Sequence, residues 1–208
     1  MGPWLFVVVA YLLGSIPSSY LAGRWTRGID LREHGSGNLG ATNTFRVLGA
    51  RIAAPVMIFD VLKGFVPTFV FPHWDGDRAW SWALAYGAAA IVGHVFSLYM
   101  RFRGGKGVAT AAGVFLALAP AAAGIALVDW LAVLWSSRMV SLASITAALV
   151  LVAALAVIPN PPAVRALGIA VAIFVIFAHR ANIRRILRGE EHRFGKGAHS
   201  RPTEGGPS

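Results

Sequence analysis

Residues 139–164 read MVSLASITAALVLVAALAVIPNPPAV and contain no charged side chain. Three further uncharged stretches cover residues 1–23, 79–100 and 107–128. A helix needs roughly 20 mainly apolar residues to cross a bilayer, so several segments are long enough. The chain of 208 residues is 56% hydrophobic, well above an ordinary soluble domain. This composition predicts an all-α integral membrane protein. The first stretch lacks the basic start of a cleaved signal peptide, which predicts a retained helix.

The number of membrane spans depends on residues 107–137, which form either one long helix or two short helices around Pro120. With seven spans and an external N-terminus, 16 of the 19 Lys and Arg residues fall on one side. With six spans the basic tail changes sides and this bias disappears. Because basic residues favour the cytoplasmic side, the sequence predicts seven transmembrane helices, an extracytoplasmic N-terminus, a cytoplasmic C-terminus and a kink or break near Pro120. The candidate spans are residues 3–23, 52–72, 79–100, 108–119, 121–136, 141–158 and 163–180.

The sequence shows a single membrane domain, residues 1–193, and no separate soluble domain. Residues 194–208 are rich in Gly, Pro and Ser and are predicted to be a disordered cytoplasmic tail. The formal net charge of +10 favours anionic partners, namely lipid headgroups or a phosphorylated substrate. Orientation in the membrane accounts for part of that excess.

Three polar motifs interrupt the apolar runs, and all three fall on the predicted cytoplasmic side. They are GSGNLGATN at residues 35–43, RGGKG at 103–107 and HRANIRR at 179–185. The first matches G-x-G-x-x-G, but a dinucleotide site also requires a preceding strand and a βαβ unit, which the flanking membrane helices exclude. Glycines still allow successive backbone N–H groups to converge on an anion. A flexible linker is the simpler alternative for this loop.

The second and third motifs add cations and a histidine. Lys106 precedes a predicted helix N-terminus, a combination suited to phosphate, although it serves equally as a membrane-orienting charge. His179 and Asn182 are three residues apart, which predicts that they share one helix face. Ser141 and Ser144 are weak candidates, because hydroxyls in membrane helices usually serve packing. Asp60 and Lys63 are expected to neutralise each other within a span.

Taken together, these motifs resemble the bacterial acyl-phosphate:glycerol-3-phosphate acyltransferases of the PlsY type. The resemblance covers about residues 5 to 196, and the order and spacing of the motifs make it specific. It implies transfer of a fatty acyl group from acyl phosphate to the 1-hydroxyl of sn-glycerol 3-phosphate, giving lysophosphatidic acid and phosphate in phospholipid biosynthesis. The implied location is the bacterial cytoplasmic (inner) membrane, with the active site facing the cytoplasm. The matching segments are residues 14–17, 20–21, 36–43, 60, 63–64, 93–96, 103–110, 141–144 and 179–183.

The resemblance also implies roles for individual residues. The catalytic set would be Ser36, Arg46, Lys106, Ser144, His179 and Asn182. Phosphate would be bound by Gly37, Asn38, Gly40, Thr42, Asn43, Gly104, Gly105 and Gly107. Residues of the first loop are assigned to acyl phosphate, and Arg46 with the later motifs to glycerol 3-phosphate. A covalent route through Ser36 or Ser144 with His179 is conceivable. Direct attack by the glycerol hydroxyl is favoured, because acyl phosphate is already activated.

Other classes of function fit less well. An organophosphate transporter or channel would place binding residues near the bilayer midplane rather than at one face. A lipid-associated scaffold would explain the basic face but not the two glycine loops. The absence of cysteine excludes disulfides and thioester chemistry. No metal or other cofactor is expected, since Asp30 and Glu33 make a poor magnesium site. No nucleic-acid partner is expected.

Overall fold

The computed structural model describes residues 2–76 and 80–194, and every regular element in those ranges is helical. The predicted disordered tail lies outside the described residues, apart from residue 194, as does Arg78. Two 3-10 turns, Phe71–His73 and Leu98–Met100, follow the fourth and fifth helices. The helices are α1 (Pro3–Ser15), α2 (Ser18–Arg27), α3 (Ala41–Leu48), α4 (Ala50–Val70), α5 (Trp80–Val95), α6 (Val108–Leu118), α7 (Pro120–Ser137), α8 (Val140–Val157), α9 (Pro162–Ala178) and α10 (Arg180–Leu187).

Among the described residues, four segments are long and apolar enough to cross a membrane. They are Ala50–His73, Ser81–Met100, Pro120–Ser137 and Val140–Val157. Two bent pairs, α1 with α2 and α9 with α10, bring the number to six if each pair is one span. Helix α6 is apolar but shorter. The structure is therefore that of a helical membrane protein, and the count of seven spans stays a prediction.

Proline accounts for two of the breaks between helices. Pro17 separates α1 from α2, whose axes differ by 40°, because proline supplies no N–H to the helical ladder. Ala119 leaves the helical region at φ −149° and ψ 68°, as expected of a residue before proline, and α7 begins at Pro120. The predicted break near Pro120 is thus confirmed.

A third break, at His179, was not predicted. Helices α9 and α10 differ by 57° and meet at this residue. His179 Nδ1 bonds the carbonyl oxygen of Val175 at 2.8 Å, so the side chain enters the hydrogen-bond ladder of its own helix. The prediction that His179 and Asn182 share the face of one helix is therefore wrong, because His179 ends α9 and Asn182 belongs to α10.

Glycines bring two helix pairs into close contact. A Cβ at Gly14 on α1 would overlap a backbone carbonyl oxygen of α5, and a Cβ at Gly93 on α5 would overlap one of α1. Gly64 on α4 and Gly113 on α6 are related in the same way. Small residues permit such backbone approach in membrane helices, where apolar surface alone gives little drive for association. These contacts fix the ends of α5 and α6, between which the second glycine motif lies.

Candidate functional site

Asn43 organises the first glycine loop. Its side-chain oxygen accepts the Ser36 N–H at 2.8 Å, and its Nδ2 donates to the carbonyl oxygens of Leu31 and His34 at 3.0 Å each. The residue is 1% exposed. All of its amide hydrogen-bonding groups therefore serve the loop, and the structure places Asn43 as a support of the loop rather than in direct reach of a substrate phosphate.

Glycine conformation shapes the same loop. Gly35 and Gly37 have φ values of +63° and +70°, which only glycine adopts readily. Helix α3 follows with Gly40 at its N-cap and no capping side chain. The N–H of Asn43 donates to the Gly40 carbonyl oxygen, so the N–H groups of residues 41 and 42 remain available for an anion. Of the other predicted ligands in this loop, Ser36 is exposed, and Asn38 and Thr42 are half-buried.

Gly104 and Gly105 of the second glycine motif were predicted to bind phosphate, but their backbone N–H groups bond to the protein itself. The N–H of Gly104 donates to Val95 O at 2.9 Å, and the N–H of Gly105 donates to His94 O at 3.1 Å. These two amides tie the loop to the end of α5 and are not free phosphate donors. Gly107, at φ +75°, begins α6 without a capping side chain. The groups of this motif that are left available to an anion are therefore the N-terminus of α6 and Lys106.

Lys106 connects the second motif to the third. Its Nζ donates to Asn182 Oδ1 at 2.5 Å, across 76 residues of sequence. Burial lowers the pKa of Lys106 to about 8, although the Glu191 carboxylate acts in the opposite direction. Arg46 on α3 is half-buried as well, and its pKa is lowered mainly by burial. Lys106 and Arg46 are thus incompletely solvated cations that would gain from a bound dianion.

Glu191 is a buried anion in this site that the motifs of the sequence do not include. Its Oε1 accepts hydrogen bonds from Asn182 Nδ2 at 2.7 Å and from the Ser141 hydroxyl at 2.8 Å. Its Oε2 accepts from Arg185 Nε at 2.7 Å. Burial raises the pKa of Glu191, but these hydrogen bonds outweigh it and leave the pKa below its usual value. A pair of acidic residues, 190 and 191, within a basic segment was the available signal.

The hydrogen bond at His179 also fixes its tautomer. A carbonyl oxygen only accepts hydrogen bonds, so Nδ1, bonded to Val175 O, carries the ring proton. Nε2 is left with a lone pair that can accept a proton from a substrate hydroxyl. His179 is 4% exposed. It lies near both Lys106 and Glu191, whose charges act on it.

Ser144 is held by its own helix and a neighbour. Its hydroxyl donates to Val140 O at 2.8 Å and accepts from Trp130 Nε1 at 3.4 Å. The hydroxyl proton is thus directed at a backbone carbonyl oxygen rather than at a base in the part of the chain that the structure describes. Ser144 therefore lines the wall formed by α7 and α8.

The structure brings most of the predicted residues to one place. Electrostatic contacts connect Arg46, Lys106 and His179 to Glu191, and Asn182 bonds both Lys106 and Glu191. The first loop meets the second at Gly105, whose backbone lies against the carbonyl oxygen of Leu39. Among the described residues, the assembled groups are two uncapped helix N-termini, the cations Arg46, Lys106 and Arg185, the Glu191 carboxylate and an imidazole lone pair, a set that can bind phosphate beside a proton acceptor.

Comparison with known proteins gives consistent matches. A family model for glycerol-3-phosphate acyltransferase matches residues 4–189. A glycerol-3-phosphate acyltransferase of Fusobacterium nucleatum is 41% identical over 93% of this chain and 99% of its own. One from Synechococcus elongatus is 45% identical, over 91% and 93% respectively.

Two solved structures share the fold. Both are crystal structures of PlsY (YgiH), an integral membrane glycerol 3-phosphate acyltransferase. The glycerol 3-phosphate form superposes with a TM-score of 0.86 at 41% identity, covering 93% of this chain and 96% of that one. The lysophosphatidic acid form gives a TM-score of 0.83 at 40% identity, covering 93% and 95%.

Proposed function

Because the chain belongs to the glycerol-3-phosphate acyltransferase family, we propose that it transfers a fatty acyl group from acyl phosphate to the 1-hydroxyl of sn-glycerol 3-phosphate. The products are lysophosphatidic acid and inorganic phosphate. The observation that carries the proposal is the contact between Lys106 and Asn182. It joins a cation at the N-terminus of α6 to the helix that begins next to His179, so glycerol 3-phosphate with its phosphate bound at Lys106 would have its 1-hydroxyl close to the imidazole.

The proposed reaction is a direct displacement. The glycerol oxygen forms a bond to the acyl carbon, the bond from that carbon to the phosphate oxygen breaks, and the electron pair leaves with phosphate. The hydroxyl proton passes to the departing phosphate, either directly or by way of His179 Nε2. Orientation and electrostatic stabilisation supply the catalysis. The bond from Ser144 to Val140 O supports this route over a serine acyl-enzyme.

The substrates divide between the two loops. Acyl phosphate lies against the first loop, at Ser36, Gly37, Asn38, Gly40 and Thr42, where the N-terminus of α3 is uncapped. Glycerol 3-phosphate lies at Lys106, Arg46 and the N-terminus of α6. The crystal structures of the related PlsY in its glycerol 3-phosphate and lysophosphatidic acid forms support this acceptor and product.

The proposed topology has seven spans with the site on the cytoplasmic side of the bacterial inner membrane. Two contacts support it. Lys106, before α6, bonds Asn182, after α9. The Phe194 N–H bonds the Arg138 carbonyl oxygen, in the turn between α7 and α8, at 2.8 Å. If these segments lie on one side, residues 107–137 cross outward and return, and the basic residues gather on that side.

The test is an assay of the purified protein with acyl phosphate and radiolabelled glycerol 3-phosphate, with a chelator present and no coenzyme A. We expect labelled lysophosphatidic acid. Lys106→Ala should lose nearly all activity while eluting as folded protein, whereas Arg188→Ala, which removes an exposed charge at the end of α10, should keep it. Product from acyl-CoA but not from acyl phosphate would contradict the proposed donor. A labelled acyl-enzyme trapped with acyl phosphate would contradict direct transfer.

A further inference from the structure

A buried charged cluster lies beneath the glycine loops and takes no part in the proposed chemistry. Asp60 and Lys63 on α4 form the predicted ion pair, with Lys63 Nζ 2.8 Å from Asp60 Oδ1 and side chains only 2% and 3% exposed. A buried ion pair is generally no more stable than well-packed apolar residues in the same place. Ionisable side chains within membrane helices usually mark function. The pair therefore needs a role beyond stability.

The ion pair fixes the break between α1 and α2. Lys63 Nζ donates to the carbonyl oxygen of Ile16 at 3.0 Å, and the Ser18 hydroxyl donates to Asp60 Oδ1 at 2.7 Å. Ile16 and Ser18 flank Pro17, where the backbone is not helical. Irregular backbone at membrane depth needs such partners. The cluster thus gives the non-helical turn a fixed position against α4.

His94 connects this ion pair to the second glycine loop. Its Nδ1 lies 3.8 Å from Asp60 Oδ1, beyond hydrogen-bond distance, and has no hydrogen-bond partner among the described residues. Its Nε2 faces Gly105, where a Cβ would overlap both Nε2 and the carbonyl oxygen of Leu39. Lys63, His94, Leu39 and Gly105 all line one small cavity. The Gly105 backbone is therefore held between the His94 ring and the first glycine loop, and the next residue is Lys106.

We propose that Asp60, Lys63 and His94 are positioning residues for acyl transfer. The Asp60 carboxylate lies beside the buried His94 ring, the packed ring sets the position of the Gly105 backbone, and that backbone aims Lys106 at the phosphate of the substrate. The inference rests on the proposed phosphate-binding role of Lys106. An error of about 1 Å in the position of a binding group can cost about 100-fold in rate. A displaced Gly105 backbone should therefore lower kcat/KM for glycerol 3-phosphate.

The test compares His94→Gln with Tyr86→Phe. Tyr86 is buried on the same helix, and its hydroxyl bonds Asp75 Oδ2 at 2.7 Å, away from the glycine loops. Both variants should lower the melting temperature. Only His94→Gln should lower kcat/KM for glycerol 3-phosphate, by roughly 10- to 100-fold. It should also shift the alkaline limb of the pH profile upward, because a displaced Lys106 is better solvated. The ionisable groups acting on Lys106 are Glu191, Arg185, Arg46 and His179.

Equal kcat/KM values and unshifted pH limbs in the two variants would overturn the proposal and leave His94 a packing residue. If His94→Gln does not fold, Ser18→Ala replaces it, since it removes one hydrogen bond from Asp60 and only a single side-chain oxygen atom. A several-fold drop in kcat/KM then supports the proposal, and an unchanged value overturns it. An inactive unmodified protein would instead contradict the proposed function.

Discussion

Lys106 should set the alkaline limit of activity. Burial disfavours its ammonium form and lowers the pKa to about 8 in the free protein. Phosphate binding needs the charged form, so kcat/KM for glycerol 3-phosphate should fall as the pH rises through about 8. This parameter reports ionisations of the free enzyme, whereas kcat reports those of the substrate complex, where a bound dianion restores a higher pKa. The measurement is a pH profile of both parameters.

Lys106→Arg provides the control for that profile. The guanidinium stays charged throughout the range, so the alkaline limb should disappear even if its different geometry lowers the rate. A limb that persists unchanged in this variant would assign the ionisation to another group.

Asn43 should contribute to the stability of the protein rather than directly to the reaction, because its side chain holds the first glycine loop. In Asn43→Asp, carboxylate oxygens replace the Nδ2 group that donates to Leu31 O and His34 O. A carboxylate oxygen then faces the carbonyl oxygens of Leu31 and His34 with no proton between them. This buried mismatch should lower the free energy of unfolding by about 2 kcal/mol or more. Thr42→Val is the matched control, since it keeps the side-chain shape and leaves those hydrogen bonds intact. A melting temperature unchanged in Asn43→Asp would contradict the structural role.

The sequence identifies some site residues more readily than others. Lys106, His179 and Asn182 are recognisable because they are polar residues at the ends of apolar runs. Glu191 is not, because no local pattern shows that the chain after α10 folds back onto Ser141 and Asn182. The amides of the second loop were also misassigned, since their acceptors on α5 are known only from the folded chain.

At the scale of the helices, the glycine contacts between α1 and α5 give a direct test of packing. Gly93→Ala would force the two backbones apart, because its Cβ would overlap the Tyr11 carbonyl oxygen. Gly124→Ala on α7 meets nothing within 4 Å. The first variant should lower the melting temperature clearly, and the second should leave it unchanged or raise it, since alanine is favoured over glycine by about 1 kcal/mol in a helix.

Thermal unfolding in detergent, followed by size-exclusion chromatography, distinguishes these variants. Comparable stability of Gly93→Ala and Gly124→Ala would show that α1 and α5 have room to separate. Such tolerance would contradict the close approach on which the position of the α5 C-terminus, and with it the second glycine motif, depends.

Some helix breaks can be predicted from the neighbouring residues in the sequence, and others cannot. The break at Ala119 follows from Pro120 and is visible in the sequence. The bend at His179 has no proline or glycine to mark it, because it arises from an imidazole that bonds the Val175 carbonyl oxygen. Uncharged stretches therefore predict where helices lie, whereas a bend made by a side chain requires the structure.

At the scale of the whole molecule, charge asymmetry predicts a common side for the three polar motifs but not their contact. The contact depends on Lys106 reaching Asn182 across 76 residues. It also depends on the Phe194 ring, whose centroid lies 4.5 Å from that of Phe45, and which holds the end of the described chain over α3. Such pairings follow from helix packing that the hydropathy pattern does not contain. The topology, by contrast, can be tested without knowledge of the site.

The chain has no cysteine, so single cysteines can report the side of each connection without background. If the N-terminus is extracytoplasmic, as proposed, Trp74→Cys and Trp25→Cys, at positions 64% and 80% exposed, should serve as external and cytoplasmic references whether residues 107–137 cross the membrane once or twice. Asn160→Cys and Arg188→Cys distinguish the two. With seven spans, a membrane-impermeant maleimide should label position 160 in intact cells and position 188 only after permeabilisation. If residues 107–137 cross once, the two positions exchange their behaviour. That exchange would place Asn182 on the opposite side from Lys106, and the proposed site could not exist.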